Sequence, residues 1–297
     1  MSHHEQGSYY LPTPSHWPIV GSCGLFALMF GAAHWLHGSS YGPYLFFTGL
    51  AILVVMMVGW FSAVIRESLA GHYDKQVDHS YRWGMIWFIF SEVMFFGAFF
   101  GALFYARISI VPELAGDTTT LFNSSALTHF LIWPNFSAHW PLLINPDSDL
   151  FPGAKEAMDT WGLPAINTLL LLTSGATITW AHWGMVKDKR KHVLIGLLLT
   201  ILLGIAFLCC QAHEYMLAYE HYNLKLSSGI YGTTFFMLTG FHGLHVTIGT
   251  IMLIVIFIRS FLGHFNPKHH FAFEAVSWYW HFVDVVWLFL FVFVYWL

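Results

Sequence analysis

Seven long apolar stretches alternate along this chain with shorter segments that hold nearly all of its charged residues. A membrane-spanning helix needs about 20 mainly apolar residues, because the hydrocarbon core is about 30 Å thick. The pattern therefore predicts an all-α polytopic membrane protein with seven transmembrane helices. The predicted spans are residues 19–36, 44–65, 83–105, 163–185, 193–216, 231–258 and 276–297.

The segments between the spans set the organisation and direction of the chain. Nine of the twelve Lys and Arg residues lie in the connections at 66–82, 187–191 and 259–268. Because Lys and Arg accumulate in cytoplasmic loops, the N-terminus is predicted inside and the C-terminus outside. The longest connection, 107–162, then lies outside and contains five prolines. It is predicted to be an ordered loop, so that 1–297 forms a single membrane domain.

Composition supports the membrane assignment and removes several classes of function. Hydrophobic residues make up 57% of the chain and charged residues 9%, against about a quarter charged in a typical soluble domain. A net charge of −4 gives no reason to expect nucleic acid as a partner. The three cysteines form no CxxC pattern, so thiolate metal sites and c-type haem are not expected.

The start of the chain does not resemble a cleaved signal peptide. No Lys or Arg precedes the first apolar stretch, whereas a signal peptide begins with a basic segment. The first span is therefore predicted to be a retained membrane helix.

Glu92 is predicted near the middle of the third span. A charged carboxylate at that depth costs about 2.5–3.5 kcal/mol on insertion scales. Desolvation favours its neutral, protonated form. Such a residue indicates proton handling or contact with lipid or a partner, and a buried acid hydrogen-bonded to a neighbouring helix is the alternative.

Two pairs of polar residues recur at helical spacing in the last two spans. His242 and His245 share one helix face, and His281 and Asp284 share another. Neutral imidazole is a common metal ligand, so a metal site is one reading. An interhelical hydrogen-bond network is favoured, because two histidines one turn apart cannot bind a haem from opposite faces. No metal site is predicted.

Other classes of membrane protein remain as alternatives of different strength. A membrane metalloenzyme would use His242, His245, His281 and Asp284, but the chain has no HExxH or histidine box. A proton-coupled transporter would use Glu92 and Asp284, but no internal repeat is visible. A retinal protein needs a lysine in its last span, and no span contains one. Glu214 and Glu220, at the predicted outer end of the fifth span, are expected to be solvated.

Several strings along the chain carry a specific resemblance. They are 64–68 (VIRES), 91–96 (SEVMFF), 167–182 (NTLLLLTSGATITWAH), 239–245 (TGFHGLH), 269–275 (HHFAFEA) and 278–289 (WYWHFVDVVWLF). In these residues, in this order and at these spans, the chain closely resembles the cytochrome c oxidase subunit III family.

The resemblance implies two helix bundles, spans one and two against spans three to seven, with a lipid-filled V-shaped cleft between them. Glu92 matches the carbodiimide-reactive carboxylate of the family. Four positions match the inner mouth of the cleft and a fifth lines it; these lipid-cleft or proton-related residues are Arg66, Glu67, His72, Arg82 and Trp60. Phe61 stands where the family often has a second tryptophan.

The function implied by the resemblance is that of a non-catalytic core subunit of a proton-pumping cytochrome c oxidase. Such a subunit stabilises subunit I, binds phospholipids and supports oxygen access and proton uptake during aerobic electron transport. It has no cofactor of its own, since the haems and copper belong to partner subunits I and II, and cytochrome c is the substrate of the complex. The long 107–162 loop favours a bacterial protein in the inner (plasma) membrane, with the N-terminus cytoplasmic and the C-terminus periplasmic.

Overall fold

The computed structural model describes residue 10 and residues 14–117 and 126–297, and its regular elements there are helices apart from one isolated bridge. Outside the described part lie residues 1–9 and 11–13, which belong to the segment used above for the signal-peptide argument, and residues 118–125 of the 107–162 loop. The long helices are α1 (Trp17–Leu36), α2 (Gly42–Leu69), α3 (Lys75–Tyr105), α6 (Leu163–Val186), α7 (Arg190–Glu220), α8 (Ile230–Phe261) and α9 (Phe271–Leu290). Two short helices, α4 (Val111–Leu114) and α5 (Ala126–Leu131), lie between α3 and α6, and π-helical turns Ala106–Ile110 and Phe291–Trp296 follow α3 and α9.

Among the described residues, seven helices are long and apolar enough to cross a membrane, which confirms the predicted number of spans. The helices extend beyond the apolar stretches. The third begins at Lys75, where the apolar pattern predicted residue 83. Its start is capped by Asp74, whose side-chain Oδ1 accepts a hydrogen bond from the Val77 backbone N–H at 2.8 Å. A cap of this kind needs no lipid around it, so hydropathy does not reveal it.

The chain divides into two compact units, Met1–Trp83 and Gly84–Leu297. The first unit contains the antiparallel pair α1 and α2. Their backbones approach closely at Gly31 and Gly49, where an added Cβ would overlap the backbone of Phe46 and Leu28, respectively. Only glycine permits this approach, so these positions fix the packing of the pair.

The second unit has its core among α6, α7, α8 and α9. Trp280 and Trp287 of α9 are fully buried there. Each indole N–H finds a hydroxyl on α6, with Trp280 donating to Ser174 Oγ and Trp287 to Thr168 Oγ1, both at 2.9 Å. The two indoles therefore fill the core without leaving a buried donor unpaired.

Helix α3 reaches this core through long side chains. Phe96 is buried against the rings of His245 and Phe282, and Phe95 packs edge-on to Phe241 at 5.0 Å. The opposite face of α3 carries exposed apolar side chains at helical spacing, including Trp87 and Phe90. The helix is thus partly covered within the chain and offers an apolar face to its surroundings.

The connection before α6 folds onto one end of the second unit. Asn145 donates through Nδ2 to the carbonyls of Phe151 (2.8 Å) and Ser228 (3.3 Å). Thr160 donates to the Tyr295 carbonyl at 2.6 Å. These contacts order the described part of the loop. The assignment of 1–297 to one domain, the two-bundle arrangement and the V-shaped cleft stay predictions.

Candidate functional site

The carboxyl group of Glu92 pairs with an imidazole on another helix. Glu92 Oε2 lies 2.9 Å from His245 Nε2, which joins α3 to α8. The two side chains are largely buried, with 21% of Glu92 and 11% of His245 exposed. The sequence predicted both residues as candidates but assigned them to different sites, and the structure brings them together.

The second ring nitrogen of His245 determines how a proton is held in this pair. His245 Nδ1 lies 2.6 Å from the carbonyl oxygen of Phe241, which can only accept, so Nδ1 carries a hydrogen. Nε2 then either accepts from a protonated Glu92 or, as imidazolium, donates to a Glu92 carboxylate. Both arrangements hold one shared proton and no net charge. The pair therefore suits an apolar environment, where an isolated charge is costly.

Aromatic rings enclose the pair. The His245 imidazole lies 5.0 Å from the ring of Phe96 and 6.1 Å from that of Phe95. Tyr279 stacks against the same imidazole at 6.4 Å and donates its hydroxyl to the His245 carbonyl at 3.4 Å. These rings cover the imidazole, and both side chains are largely buried, so the pair has limited contact with its surroundings outside the chain.

His242 lies one turn away on α8 but has a separate partner. It is fully buried, and its Nε2 donates to the Val283 carbonyl at 3.1 Å. Within the described part of the chain, its Nδ1 has no hydrogen-bond partner. The rings of Phe207 and Trp287 pack around the imidazole. A neutral ring with one bond across to α9 explains this geometry.

His281 and Asp284 form a third polar cluster, on the face of α9 that meets α6. His281 Nδ1 lies 3.7 Å from Asp284 Oδ2, and His281 Nε2 lies 3.2 Å from Thr179 Oγ1. Gly175 faces the carboxylate, and a Cβ at that position would overlap Asp284 Oδ2. The pair lines a mostly apolar groove of about 520 Å³ on the surface of the unit.

The four residues proposed as a polar network or a metal set are thus distributed over separate contacts. His245 bonds Glu92, His242 bonds the α9 backbone, and His281 contacts Asp284 and Thr179. The contact between His281 and Asp284 lies within α9, whereas the other three join two helices. These interhelical contacts hold the packing in place with polar groups that lipid would not solvate.

The five residues predicted at the cleft lie in the first unit, around the end of α2 and the start of α3. Glu67 Oε2 accepts a hydrogen bond from the Tyr73 hydroxyl at 2.9 Å, and Arg82 Nε donates to Asp78 Oδ2 at 3.0 Å. Arg66 is exposed near the end of α2, and Trp60, on the same helix, is 43% exposed. The His72 ring stacks on the ring of Tyr10, with their centres 5.4 Å apart.

Tyr73 is held by its surroundings in the protonated form. Burial, with hydrogen bonds to Tyr81 and Glu67, raises the pKa of the Tyr73 phenol well above its ordinary value. Tyr73 therefore donates to Glu67 over the whole physiological range of pH.

One prediction about a carboxylate is wrong. Glu214 is fully buried rather than solvated, and its Oε1 accepts a hydrogen bond from the Tyr295 hydroxyl at 2.6 Å. The final turn after α9 covers the end of α7 and brings Tyr295 over Glu214. Glu220, one and a half turns further on, is exposed as expected. The apolar pattern gave no signal of this cover, because it comes from a distant segment.

Comparison with known proteins agrees with the family resemblance that the sequence motifs carry. The family model of cytochrome c oxidase subunit III matches residues 7–122 and 120–297. A protein named cytochrome c oxidase subunit 3 from Arabidopsis thaliana is 42% identical over 297 residues, covering 100% of this chain and 98% of its own length.

Two further relatives carry the same name. The protein from Marchantia polymorpha is 41% identical over 297 residues, with 100% of this chain and 98% of the relative covered. The protein from Scyliorhinus canicula is 41% identical over 294 residues, with 99% and 98% covered. With matches that run the whole length of the chain, and with seven helices in its described part that are long and apolar enough to cross a membrane, this chain belongs to the cytochrome c oxidase subunit III family.

Proposed function

We propose that this chain is the non-catalytic subunit III of a proton-pumping cytochrome c oxidase and that it supports subunits I and II. Those partners would hold the haems and copper and take electrons from cytochrome c. The match to the family over the full length of the chain carries the proposal. Members of this family are subunits of a terminal oxidase, so the reaction belongs to the complex.

The apolar surface of the long helices supports a role in assembly. Trp87 and Phe90 on α3 are 63% and 51% exposed, and Leu169 on α6 is 67% exposed. In a bilayer these faces meet lipid or another protein's helices. Stabilisation of subunit I would come from packing of this kind, which in membranes depends on close van der Waals contact.

The Glu92–His245 pair supports the part of the proposal that concerns protons and oxygen. It holds one proton at 2.9 Å within an aromatic enclosure, without net charge. A neutral pair of this kind keeps its surroundings apolar, which suits bound acyl chains and dissolved oxygen. The same pair joins α3 to α8, so it would support proton uptake by holding the local structure.

Lipid binding is proposed at the basic residues of the first unit. Arg66 and Arg82 would donate to lipid phosphates, with Trp60 against the acyl chains and with Glu67 and His72 nearby in sequence. Arg66 is exposed, and Arg82 forms a salt bridge with Asp78. The lipid-filled V-shaped cleft implied by the family resemblance is part of this proposal.

We also infer the location of the chain. The excess of Lys and Arg in three connections favours a cytoplasmic N-terminus and a periplasmic C-terminus in a bacterial plasma membrane. The relatives compared above come from plants and an animal, so the bacterial origin depends on the length of the 107–162 loop.

Removal of the chain tests the support role. The complex is purified with and without this chain, and oxygen consumption is followed over many turnovers. We expect a normal initial rate without the chain, followed by progressive inactivation. Full and lasting activity and proton pumping without it would contradict the proposal.

Two substitutions test the lipid and proton parts separately. Arg66→Ala in the complex is expected to reduce the amount of tightly bound phospholipid, measured by mass spectrometry of extracted lipid. Glu92→Leu is expected to speed inactivation during turnover, since it removes the shared proton. If both variants behave as the unchanged complex does, these residues have no part in either role. Stoichiometric metal at His242 and His245, or proton transport by this chain alone in vesicles, would favour the metalloenzyme or the transporter instead.

A further inference from the structure

Two imidazoles and a carboxylate meet where α6 ends and α9 begins. His182 lies on the last turns of α6, His270 immediately precedes α9, and Glu274 lies on its first turn. One ligand atom from each residue falls within 4.8 Å of the others. His270 Nε2 is 3.2 Å and His182 Nε2 is 3.7 Å from Glu274 Oε1. Among the described residues, this is the group of His, Cys, Asp and Glu that converges closely enough to share an ion.

The hydrogen bonds around His270 leave the converging nitrogen available as a ligand. His270 Nδ1 lies 3.2 Å from the Asn266 carbonyl oxygen, which can only accept, so Nδ1 carries a hydrogen. In the neutral ring, Nε2 then holds a lone pair. A histidine whose second nitrogen donates to a backbone carbonyl is the usual arrangement around a protein-bound metal.

Burial makes it costly to leave His270 Nε2 and His182 Nε2 without a partner. The His270 side chain is 9% exposed, and its Nε2 points into the cluster. Within the described part of the chain, neither His270 Nε2 nor His182 Nε2 makes a hydrogen bond of good geometry. Buried polar atoms are normally satisfied, so these two nitrogens call for a ligand between them.

We propose that His182, His270 and Glu274 bind a divalent transition-metal ion of the zinc class. Two imidazoles and one carboxylate are a donor set that zinc accepts, with a fourth position left for water. Tetrahedral coordination brings ligand atoms to about 3.4 Å from one another, for bonds of about 2.1 Å. The observed 3.2 and 3.7 Å separations from Glu274 Oε1 are already close to that value.

The surroundings allow the ion to enter and give it a structural consequence. The His182 side chain is 28% exposed, which leaves one open side to the cluster. The site lies near the end of α6, a few residues before Lys187 and Lys189. A bound ion would tie the end of α6 to the start of α9. This inference departs from the sequence-based expectation of no metal site and does not depend on the proposed oxidase role.

Zinc binding by the full-length chain tests the site. The purified chain in detergent is stripped with a chelator, given Zn²⁺ alone, desalted, and analysed for metal by mass spectrometry. We expect one zinc per chain. His270→Ala and Glu274→Gln are expected to weaken binding by about tenfold or more, since even loss of a residue that only orients a ligand costs that much. His269→Ala is the matched control, because this exposed neighbouring imidazole lies outside the cluster.

X-ray absorption at the zinc edge of the unchanged chain gives a test that needs no variant to fold. The proposal expects two imidazole nitrogens and one carboxylate oxygen at about 2.0–2.2 Å. Failure of the unchanged chain to retain zinc would overturn the proposal. So would a spectrum without two imidazoles, or a control variant that loses as much zinc as His270→Ala.

Discussion

The pairing of Glu92 with His245 makes a prediction that can be measured as a coupling free energy. The perturbations are Glu92→Leu, His245→Leu and the double variant. Either single change leaves the other polar group in an apolar enclosure without its 2.9 Å partner. The double change removes both groups together. The His245→Leu change also loses the bond to the Phe241 carbonyl, but this loss occurs in the single and the double variant and cancels.

The structure sets the expected size of the effect. A buried polar group left without its partner costs about 1–3 kcal/mol. Interhelical hydrogen bonds in membrane proteins couple by about 0.6 kcal/mol on average and up to about 1.7. Because the Glu92–His245 bond is short and largely buried, we expect a coupling in the upper part of that range, about 1–1.7 kcal/mol. The double variant should therefore be less destabilised than the sum of the two single variants.

The assay is reversible unfolding of the full chain in mixed micelles by increasing denaturing detergent, followed by tryptophan fluorescence. A control cycle combines Glu92→Leu with Tyr295→Phe, whose hydroxyl bonds Glu214 on other helices. The control pair should be additive within about 0.5 kcal/mol. If the Glu92→Leu and His245→Leu effects are also additive within about 0.5 kcal/mol, the shared-proton pair is refuted.

Three further predictions follow from single contacts. Gly31→Ala should destabilise the chain far more than Gly97→Ala, since an added Cβ overlaps backbone at Gly31 but meets nothing within 4 Å at Gly97; equal unfolding midpoints would contradict the close approach of α1 and α2. Tyr295→Phe should cost about 1–3 kcal/mol in the same unfolding assay by leaving the buried Glu214 carboxyl without its donor, and Glu214→Leu should recover part of that loss. Because burial raises the pKa of Tyr73, the folded chain keeps that proton when an unfolded tyrosine loses it, so the stability from Tyr73 is present below about pH 10 and falls above it. Tyrosinate absorbance near pH 10 should accordingly be the same in the unchanged chain and in Tyr73→Phe, and a loss of absorbance in the variant would contradict the raised pKa.

The number and approximate position of the helices follow from the sequence because lipid requires long apolar segments. Helix ends do not, since polar caps such as Asp74 extend α3 to Lys75, well beyond its apolar part. The physical reason is that backbone hydrogen bonding continues in water as well as in lipid. Hydropathy reveals only the part of a helix that lies in lipid.

Pairings between distant segments account for most of what the sequence did not reveal. Glu92 and His245 are 153 residues apart, and helical spacing compares only residues on one helix. The sequence therefore identified each residue but joined His245 to His242. Glu214 was misread for a similar reason, since Tyr295, 81 residues later, covers it. His182 lies on α6, whereas His270 and Glu274 lie at the start of α9, so no local motif unites all three.

The count of turnovers before inactivation tests the central claim most directly. The oxidase is prepared without this chain and divided into three portions. One portion receives the purified full-length chain, the second receives the Glu92→Leu chain, and the third receives no addition. The proposed support role predicts equal initial rates, many more turnovers after addition of the unchanged chain, and a smaller recovery with the variant. Equal numbers of turnovers with and without the added chain would contradict the claim that this subunit sustains the enzyme.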